Sequence, residues 1–243
     1  MFHVGLSGYS YRPWHGEGRF YPPELKPKQF FGFYAERYQT VEMDGTWYRM
    51  PSEKMVEEWV KNAPKPFTFC PKMHRQVTHM SRLKEDGFDS AKFFLKRLEP
   101  AADAGVLGPV LVQLPPNMKI QLERLVEFLK MLPLKTPNGA AYRYAMEFRN
   151  ETWETEEVSS LLASHSVAWV ASDTDEKEGV RKDTAPHAYI RLRKTEYSNE
   201  DLAKWAEYFR ELRDADKEVF VYCKHDDDGS PWIWADELKT LMC

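Results

Sequence analysis

Segments of two kinds alternate along this chain from one end to the other. Apolar, β-branched or aromatic runs typical of short buried strands occupy residues 3–7, 40–44, 67–72, 109–114, 144–149, 167–173, 188–193 and 218–224. Helical patterns follow them at residues 29–38, 52–62, 90–104, 121–132, 155–165, 198–215 and 230–241. Strand followed by helix, repeated over 243 residues, predicts an α/β fold with parallel strands. We expect a single domain, residues 1–243, with a TIM-like (β/α)8 barrel.

The residues at the predicted helix starts agree with this interpretation. The candidate N-caps are Ser52, Ser90, Thr155 and Ser198, and Pro231 suits a first helical turn. The competing α/β fold, an open doubly wound sheet, usually carries a G-x-G-x-x-G turn after its first strand. Gly5-Leu6-Ser7-Gly8 has a different spacing, so the sequence favours the barrel.

The charge balance and the absence of certain segments limit the functional class. The chain has 34 Lys and Arg against 38 Asp and Glu, a net charge of -4, which does not favour sequence-independent binding to nucleic acid or to anionic membranes. No apolar run reaches the roughly 18 residues of a membrane span, and the first residues lack a signal-peptide pattern. The three cysteines form no C-x-x-C motif. We expect no membrane contact and a cytoplasmic location.

Polar residues recur on one face of the predicted strands, near their carboxyl ends. Side chains alternate across a strand, so Glu147 and Arg149 share one face, and Phe148 lies on the other. The same phase holds for Ser7, Glu42, Asp44, Lys72, Gln113, Asp173, Arg191 and Arg193. In a TIM barrel, inward groups at the carboxyl ends of the strands converge on one mouth, where such enzymes place their sites. The alternative for any one residue is an internally paired plug of the barrel.

Several motifs together resemble a known family. They are Gly5-Leu6-Ser7-Gly8-Tyr9-Ser10-Tyr11, Val41-Glu42-Met43-Asp44-Gly45-Thr46-Trp47-Tyr48-Arg49, Thr78-His79, Gln113-Leu114-Pro115-Pro116, Glu147-Phe148-Arg149 and Tyr189-Ile190-Arg191. Their order over nearly the whole chain resembles the YecE-like family, catalogued as domain of unknown function 72. The resemblance implies a TIM-barrel-like fold and carries no settled activity.

The chain departs from the usual pattern of that family at three places. Asp44 stands where the family usually has Asn, and Arg191-Leu192-Arg193-Lys194 replaces a usual Arg-x-His-Gly. Lys224-His225-Asp226-Asp227-Asp228-Gly229 replaces an Asn-rich turn. A divergent branch of the family or a different ligand would explain the three departures.

Cationic and acidic side chains at the predicted mouth suggest the chemistry. Lys72, Arg149 and Arg191 form a predicted clamp for phosphate or carboxylate, since guanidinium groups bind such anions through paired hydrogen bonds. Glu147, Glu42 and Asp173 are the catalytic candidates for proton transfer, with Glu147 as the first choice. The alternative for Glu147 is that it only orients Arg149 or Lys72.

Further residues are predicted to bind ligand. They are Ser7, Tyr9, Asp44, Tyr48, Arg49, Gln113 and His79. Aromatic side chains in the loops after strands one, two and five would stack on a sugar or a nucleobase, or would instead fill space beneath the loops. Packing is the better explanation for Trp14 and Trp153.

A bound metal is not favoured, although it stays open. The residues that would hold one are His74, His79, His225, Glu147, Asp173 and Asp226. Their spacing matches no established metal motif, and no motif for an organic cofactor is present. We therefore expect no metal ligands, and leave the cofactor undetermined.

These observations lead to one functional hypothesis and two alternatives. The first is an enzyme that acts on a phosphorylated or otherwise anionic small molecule by acid–base chemistry, through hydrolysis or lyase-type cleavage rather than redox chemistry. The second is a protein that binds or processes nucleic acid. The third is a barrel that binds a small ligand without reacting with it.

Overall fold

All eight predicted strands are present in the computed structural model, which describes residues 1–224 and 230–243. They are β1 (Phe2–Leu6), β2 (Thr40–Met43), β3 (Thr68–Pro71), β4 (Val110–Gln113), β5 (Tyr144–Glu147), β6 (Ala168–Asp173), β7 (His187–Leu192) and β8 (Glu218–Cys223). Each lies within two residues of its predicted bounds. The prediction succeeds because near-continuous apolar runs are typical of parallel strands that are covered on both faces.

Seven of the eight α-helices found in residues 1–224 and 230–243 were predicted from periodicity. They are α1 (Phe30–Arg37), α2 (Gly45–Tyr48), α3 (Glu53–Asn62), α4 (Phe88–Asp103), α5 (Leu122–Met131), α6 (Glu156–Ser164), α7 (Asn199–Asp214) and α8 (Pro231–Met242). The exception is α2, whose single turn is too short to show a period. None of the helices in the described part of the chain is long and apolar enough to cross a membrane.

Most of the predicted helix starts are confirmed. Ser52, Thr155 and Ser198 each accept a hydrogen bond from a backbone N–H in the first turn of their helices, and Pro231 opens α8. The prediction for Ser90 is wrong, because a 3-10 turn at Glu85–Gly87 leads directly into α4 and moves its start upstream.

The strands form a mostly parallel α/β arrangement. Six of them are hydrogen-bonded in the order β1-β8-β7-β6-β5-β4, and β2 pairs with β3. The registers of β1 with β8, β7 with β8, β4 with β5 and β5 with β6 are parallel. These pairings do not by themselves establish a closed eight-stranded sheet, so closure of the barrel stays a prediction.

The chain divides into two compact units. Unit 1 consists of Met1–Glu42, Ala171–Val180 and Pro186–Cys243, and unit 2 of Met43–Val170 and Arg181–Ala185. In unit 1, α7 packs on β8, and α8 packs on β1 and β8. In unit 2, α3 packs against α4, and Trp59 of α3 stacks on Phe69 of β3 with ring centroids 4.9 Å apart. The helix-facing position of Phe69 agrees with the predicted alternation, which places Lys72 on the other face.

Candidate functional site

The predicted site residues fall into both units. Unit 1 contains Ser7, Tyr9, Glu42, Asp173 and Arg191, and unit 2 contains Asp44, Tyr48, Arg49, Lys72, His79, Gln113, Glu147 and Arg149. The two groups have different surroundings, and each is described within its own unit. That all of them face one mouth stays a prediction.

In unit 1, a close backbone approach brings Ser7 next to Glu42. A Cβ atom on Gly5 would lie 2.3 Å from the carbonyl oxygen of Thr40, so only glycine fits where β1 runs beside β2. A parallel bridge then joins Ser7 to Glu42, and the Ser7 hydroxyl donates to Oε1 of Glu42 at 2.7 Å.

Glu42 is the centre of what we call the closed network: Ser7, Glu42, Tyr189 and Arg191. The Arg191 guanidinium donates to Oε1 of Glu42 at 2.7 Å, and the Tyr189 hydroxyl donates to Oε2 at 2.7 Å. Glu42 and Arg191 are both 0% exposed. The closed network therefore has the geometry of the internally paired plug that the sequence left open, and the catalytic role of Glu42 and the clamp role of Arg191 stay predictions.

Asp173, the third acidic candidate, is also buried in unit 1. Its Oδ2 accepts a hydrogen bond from the indole of Trp205 at 3.3 Å and lies 3.6 Å from the Lys194 ammonium. Within residues 1–224 and 230–243, its Oδ1 has no hydrogen-bond partner. These contacts are compatible with either a structural carboxylate or a proton-transfer group.

Tyr9 belongs to an aromatic group of unit 1. Its ring contacts Phe31 edge-on and lies 6.1 Å from that of Tyr34, and its backbone carbonyl accepts a hydrogen bond from the Tyr21 hydroxyl. Burial raises the pKa of Tyr9. The surroundings of Tyr9 are those of a packing residue, and its predicted ligand contact is untested.

In unit 2, Lys72 follows β3 directly and is only 7% exposed. Its ammonium lies 3.5 Å from Oδ1 of Asp44 and 5.5 Å from the centre of the Trp47 ring. The Thr46 hydroxyl holds the Lys72 backbone, since it donates to the Lys72 carbonyl at 2.7 Å and accepts from the Lys72 amide at 2.9 Å. Two residues of the one-turn helix α2 thus hold Lys72 in position: Thr46 at its backbone and Trp47 at its side chain.

Glu147 and Arg149 lie at the end of β5. Glu147 is 0% exposed, and its Oε1 accepts a hydrogen bond from Nε of Arg149 at 3.0 Å, while a quarter of the Arg149 side chain is exposed. The parallel register sets Gln113 of β4 opposite Glu147, so the two side chains share one face of the sheet. This contact is the one that the alternative interpretation of Glu147 named for Arg149, and the catalytic role of Glu147 stays a prediction.

His79 connects these groups electrostatically. Its pKa is lowered to about 4, first by burial and then by the positive charges of Lys72, Arg149 and Arg82, against a smaller opposing effect of Glu147. The imidazole is only half-buried. We call Asp44, Trp47, Lys72, His79, Glu147 and Arg149 the open cluster, because part of it remains accessible to solvent.

The loop that carries His79 has an unusual backbone. Residues Gln76–Met80 form a π-helical turn, and Arg82 and Leu83 follow with φ angles of 51° and 61°. Single-turn π-helices and left-handed non-glycine residues are both uncommon and occur frequently at functional sites. The loop packs closely at its far end, where a Cβ on Gly87 would lie 2.7 Å from that of Ser81.

Two residues of this region were missed as site residues by the sequence analysis. Arg82 contributes to the positive potential at His79, but its loop has no strand periodicity that would have placed it. Trp47 was noted only as an aromatic residue near the mouth; its indole donates a hydrogen bond to Nδ1 of His79 at 3.3 Å. The spacing between residues 47 and 79 contains no signal of that contact.

Tyr48 and Arg49 lie at the exposed edge of the open cluster. The Tyr48 side chain is 66% exposed, and its ring meets that of Trp47 edge-on at 4.6 Å. Arg49 is exposed as well. Both residues are accessible to a ligand, and their predicted role in binding one is untested.

A metal centre has no support in the part of the chain that the structure describes. Residues 1–224 and 230–243 contain no group of three or more His, Cys, Asp and Glu side chains arranged to hold a metal ion. His225 and Asp226, which the sequence analysis named as potential ligands, lie outside the described residues, as does the predicted turn at Asp226-Asp227-Asp228-Gly229.

Comparison with known proteins gives consistent matches over the whole chain. The family model "Protein of unknown function DUF72" matches residues 3–243. The UPF0759 protein YunF of Bacillus subtilis is 25% identical, with 100% of this chain and 94% of YunF covered.

Solved structures of the same family are similar as well. A DUF72 family protein from Thermotoga maritima is 28% identical, with a TM-score of 0.83 over 100% of this chain and 99% of the other. A DUF72 family protein from Enterococcus faecalis has the same fold, with a TM-score of 0.76, 19% identity, and 100% and 97% of the two chains covered. The resemblance seen in the sequence motifs is confirmed, and the chain belongs to the DUF72 family.

Proposed function

We propose that this protein is an enzyme that acts on a phosphorylated or otherwise anionic small molecule by acid–base chemistry at the open cluster. Lys72 and Arg149 would bind the anion, and Glu147 would transfer the proton. Arg191, the third residue of the predicted clamp, is fully buried and its guanidinium donates to Glu42, so its role in the clamp stays a prediction.

The observation that carries the proposal is the group of three cations around His79. Lys72 lies near Asp44, Arg149 is bound to Glu147, and Arg82 donates to the neutral amide of Asn117. The positive charges of these three side chains, after the larger effect of burial, lower the pKa of His79. An anionic ligand at this position would be attracted by the three cations and would accept hydrogen bonds from several directions.

Glu147 has the surroundings of a proton-transfer group in such a site. Its carboxylate is completely buried, yet it is bonded to a side chain that reaches solvent. A substrate held by Arg149 would therefore lie close to Glu147. This arrangement suits removal of a proton from a water or from a substrate carbon, which are the steps of hydrolysis and of lyase-type cleavage.

Binding of inorganic phosphate, measured by isothermal titration calorimetry, tests the anion site. Removal of a charge-assisted hydrogen bond should weaken binding about ten- to a hundredfold in Lys72→Met and Arg149→Gln. Lys182→Met is the matched control, because it removes one charge of the same unit at a side chain that contacts Glu156 and Ser159 instead. Equal weakening in all three variants would show that binding is unspecific.

Turnover of phosphorylated metabolites tests the enzymatic part. Glu147→Gln keeps the shape of the side chain and removes its base, so it should abolish any turnover found for the wild type, while phosphate still binds. Unchanged turnover would refute the role of Glu147. Binding without any turnover in a broad screen would instead favour the non-catalytic ligand-binding barrel.

One observation favours nucleic acid as a second candidate ligand. The exposed Tyr48 ring, beside Trp47, is suited to stacking on a base, a contact worth about 1–3 kcal/mol per base. Oligonucleotide binding measured against salt concentration should then show a steep negative slope and should weaken in Tyr48→Ala. No retention at low salt would exclude this candidate.

The finer fold and location predictions are part of the same proposal. We propose a single-domain closed TIM-like barrel for residues 1–243, supported by the parallel bridges from Ser7 to Glu42 and from Lys72 to Leu111. We also propose a cytoplasmic location, supported by a cysteine content of three without a C-x-x-C motif, which suits a reducing compartment. A crystal structure and cell fractionation would test the two statements.

A further inference from the structure

The hydrogen bonds of His79 determine which of its nitrogens carries the proton. Nδ1 lies 3.3 Å from the indole nitrogen of Trp47 and 2.9 Å from the hydroxyl of Thr78. An indole N–H only donates, so Nδ1 must accept, and a hydroxyl can donate to the same atom. A proton on Nδ1 would point at the indole N–H. In the neutral ring the proton is consequently on Nε2.

We infer that His79 is a neutral hydrogen-bond donor to the anion, with its Nε2–H directed at an acceptor oxygen of the ligand and its tautomer fixed by Trp47. This inference deepens the proposed function and rests on it for the presence of the anion. Trp47 is then a positioning residue, since it acts through His79. Lys72, above the ring of Trp47, keeps that indole in place.

Burial, and then the charges that face His79, keep the imidazole neutral. Lys72 from the end of β3, Arg149 from the end of β5 and Arg82 from its own loop all oppose a positive imidazole, and among the described residues Glu147 has a smaller effect in the other direction. Among the described residues, both hydrogen bonds of the ring are made at Nδ1. Nε2 therefore remains to donate to a ligand oxygen. Because a neutral N–H is less strongly hydrated than a charged one, less hydration is lost when the anion binds.

Nitrogen NMR of the free protein tests the tautomer. In protein with labelled histidine, the Nδ1 resonance of His79 should have the downfield shift of an unprotonated nitrogen, and Nε2 that of a protonated one. Trp47→Phe removes the indole donor and should move the two shifts toward each other. Trp153→Phe is the matched control, because its indole donates to the carbonyl of Met118, and it should leave the His79 shifts unchanged. A protonated Nδ1 in the wild type would overturn the inference.

Addition of inorganic phosphate tests the donor role. Phosphate should shift Nε2 of His79 more than Nδ1. His79→Leu should weaken phosphate binding about tenfold, the effect of one lost hydrogen bond, and His79→Gln, whose side-chain amide still donates, should weaken it by less than about threefold.

The possible outcomes separate this inference from the proposed function. Normal phosphate binding by His79→Leu would overturn the donor role and leave the anion site intact. No phosphate binding by the wild type would overturn the anion site and, with it, the donor role. Equal loss in the Leu and Gln variants would show that His79 contributes shape rather than a hydrogen bond, which also overturns the inference.

Discussion

The closed network and the open cluster contain the same kinds of side chain in different surroundings. In the closed network, both oxygens of Glu42 accept short hydrogen bonds from neighbours in unit 1, and the carboxylate and the guanidinium of Arg191 are fully buried. In the open cluster, Glu147 is equally buried, but its partner Arg149 reaches solvent. The carboxylate of the closed network thus accepts its hydrogen bonds from buried neighbours, whereas the ion pair of the open cluster includes a cation that solvent can reach.

The comparison shows that residue type and strand position do not distinguish a fully buried ion pair from one that solvent can reach. Glu42 and Glu147 both lie near the carboxyl ends of their strands. The difference lies in their partners: Arg191, which binds Glu42, is fully buried, whereas Arg149, which binds Glu147, is accessible to solvent. Substitutions in the closed network should therefore affect stability first, and substitutions in the open cluster should affect binding first.

The largest expected effect is the loss of stability in Arg191→Met. Removing the guanidinium leaves the buried Glu42 carboxylate without its charged partner, which should cost about 3–5 kcal/mol in the free energy of unfolding measured with urea. Arg37→Met is the control: it breaks an ion pair of the same unit with Asp236, in which both side chains are about a third exposed, and should cost at most about 1 kcal/mol. Equal losses would contradict the contrast between sealed and exposed pairs.

Tyr189→Phe should have an intermediate effect. It removes a 2.7 Å hydrogen bond to a charged oxygen in the closed network and should cost about 1.5–3 kcal/mol. Tyr48→Phe, at the exposed edge of the open cluster, should leave the free energy of unfolding nearly unchanged. If Tyr189→Phe were neutral in thermal and urea denaturation, Glu42 would not depend on its network in the way described.

The smallest expected effect is a dependence of stability on pH that comes from His79, because the imidazole is only half-buried and solvent screens the charges that act on it. Its pKa is about 4 in the folded protein, below the ordinary 6.5, so between these values the unfolded chain binds the proton more strongly. The stability that this residue contributes is complete above about pH 6.5 and is lost as the pH falls toward 4. The free energy of unfolding of His79→Gln should thus decrease less over this interval than that of the wild type.

His74 must be considered in the same measurement. Its pKa is also lowered, first by burial and then by the charge of Arg75, so its contribution has the same sign and remains in the His79 variant. His74→Gln is therefore the companion variant. A wild-type profile that is flat from pH 7 to about pH 4.5 would contradict both assignments.

The sequence predicted the strands and most of the helices because burial produces periodic patterns. Apolar runs define the strands, and the caps at Ser52, Thr155 and Ser198 are formed by local side-chain hydrogen bonds. The prediction of Ser90 as an N-cap was wrong because a 3-10 turn ahead of a helix leaves no periodic pattern or cap in the sequence. The pairing of Glu147 with Arg149 was also predictable, since alternation within one strand places both on one face.

What the sequence could not indicate are contacts between loops distant along the chain. The π-turn at Gln76–Met80 and the left-handed residues after it place His79 against Trp47 from a loop whose sequence has no regular period. The choice between a sealed and an accessible ion pair depends on tertiary burial as well. Arg149 and Arg191 have the same side chain and both lie near the carboxyl ends of their predicted strands, and only the fold gives them different exposure.

The missing side chain at Gly5 has a consequence for Glu42. Since backbone lies against backbone beside Thr40, β1 and β2 cannot separate slightly at this point without losing their main-chain contact. The Glu42 carboxylate next to it is fully buried, so it reaches water only if the strands around it open. Damage at this point would therefore appear as cooperative unfolding instead of a local rearrangement.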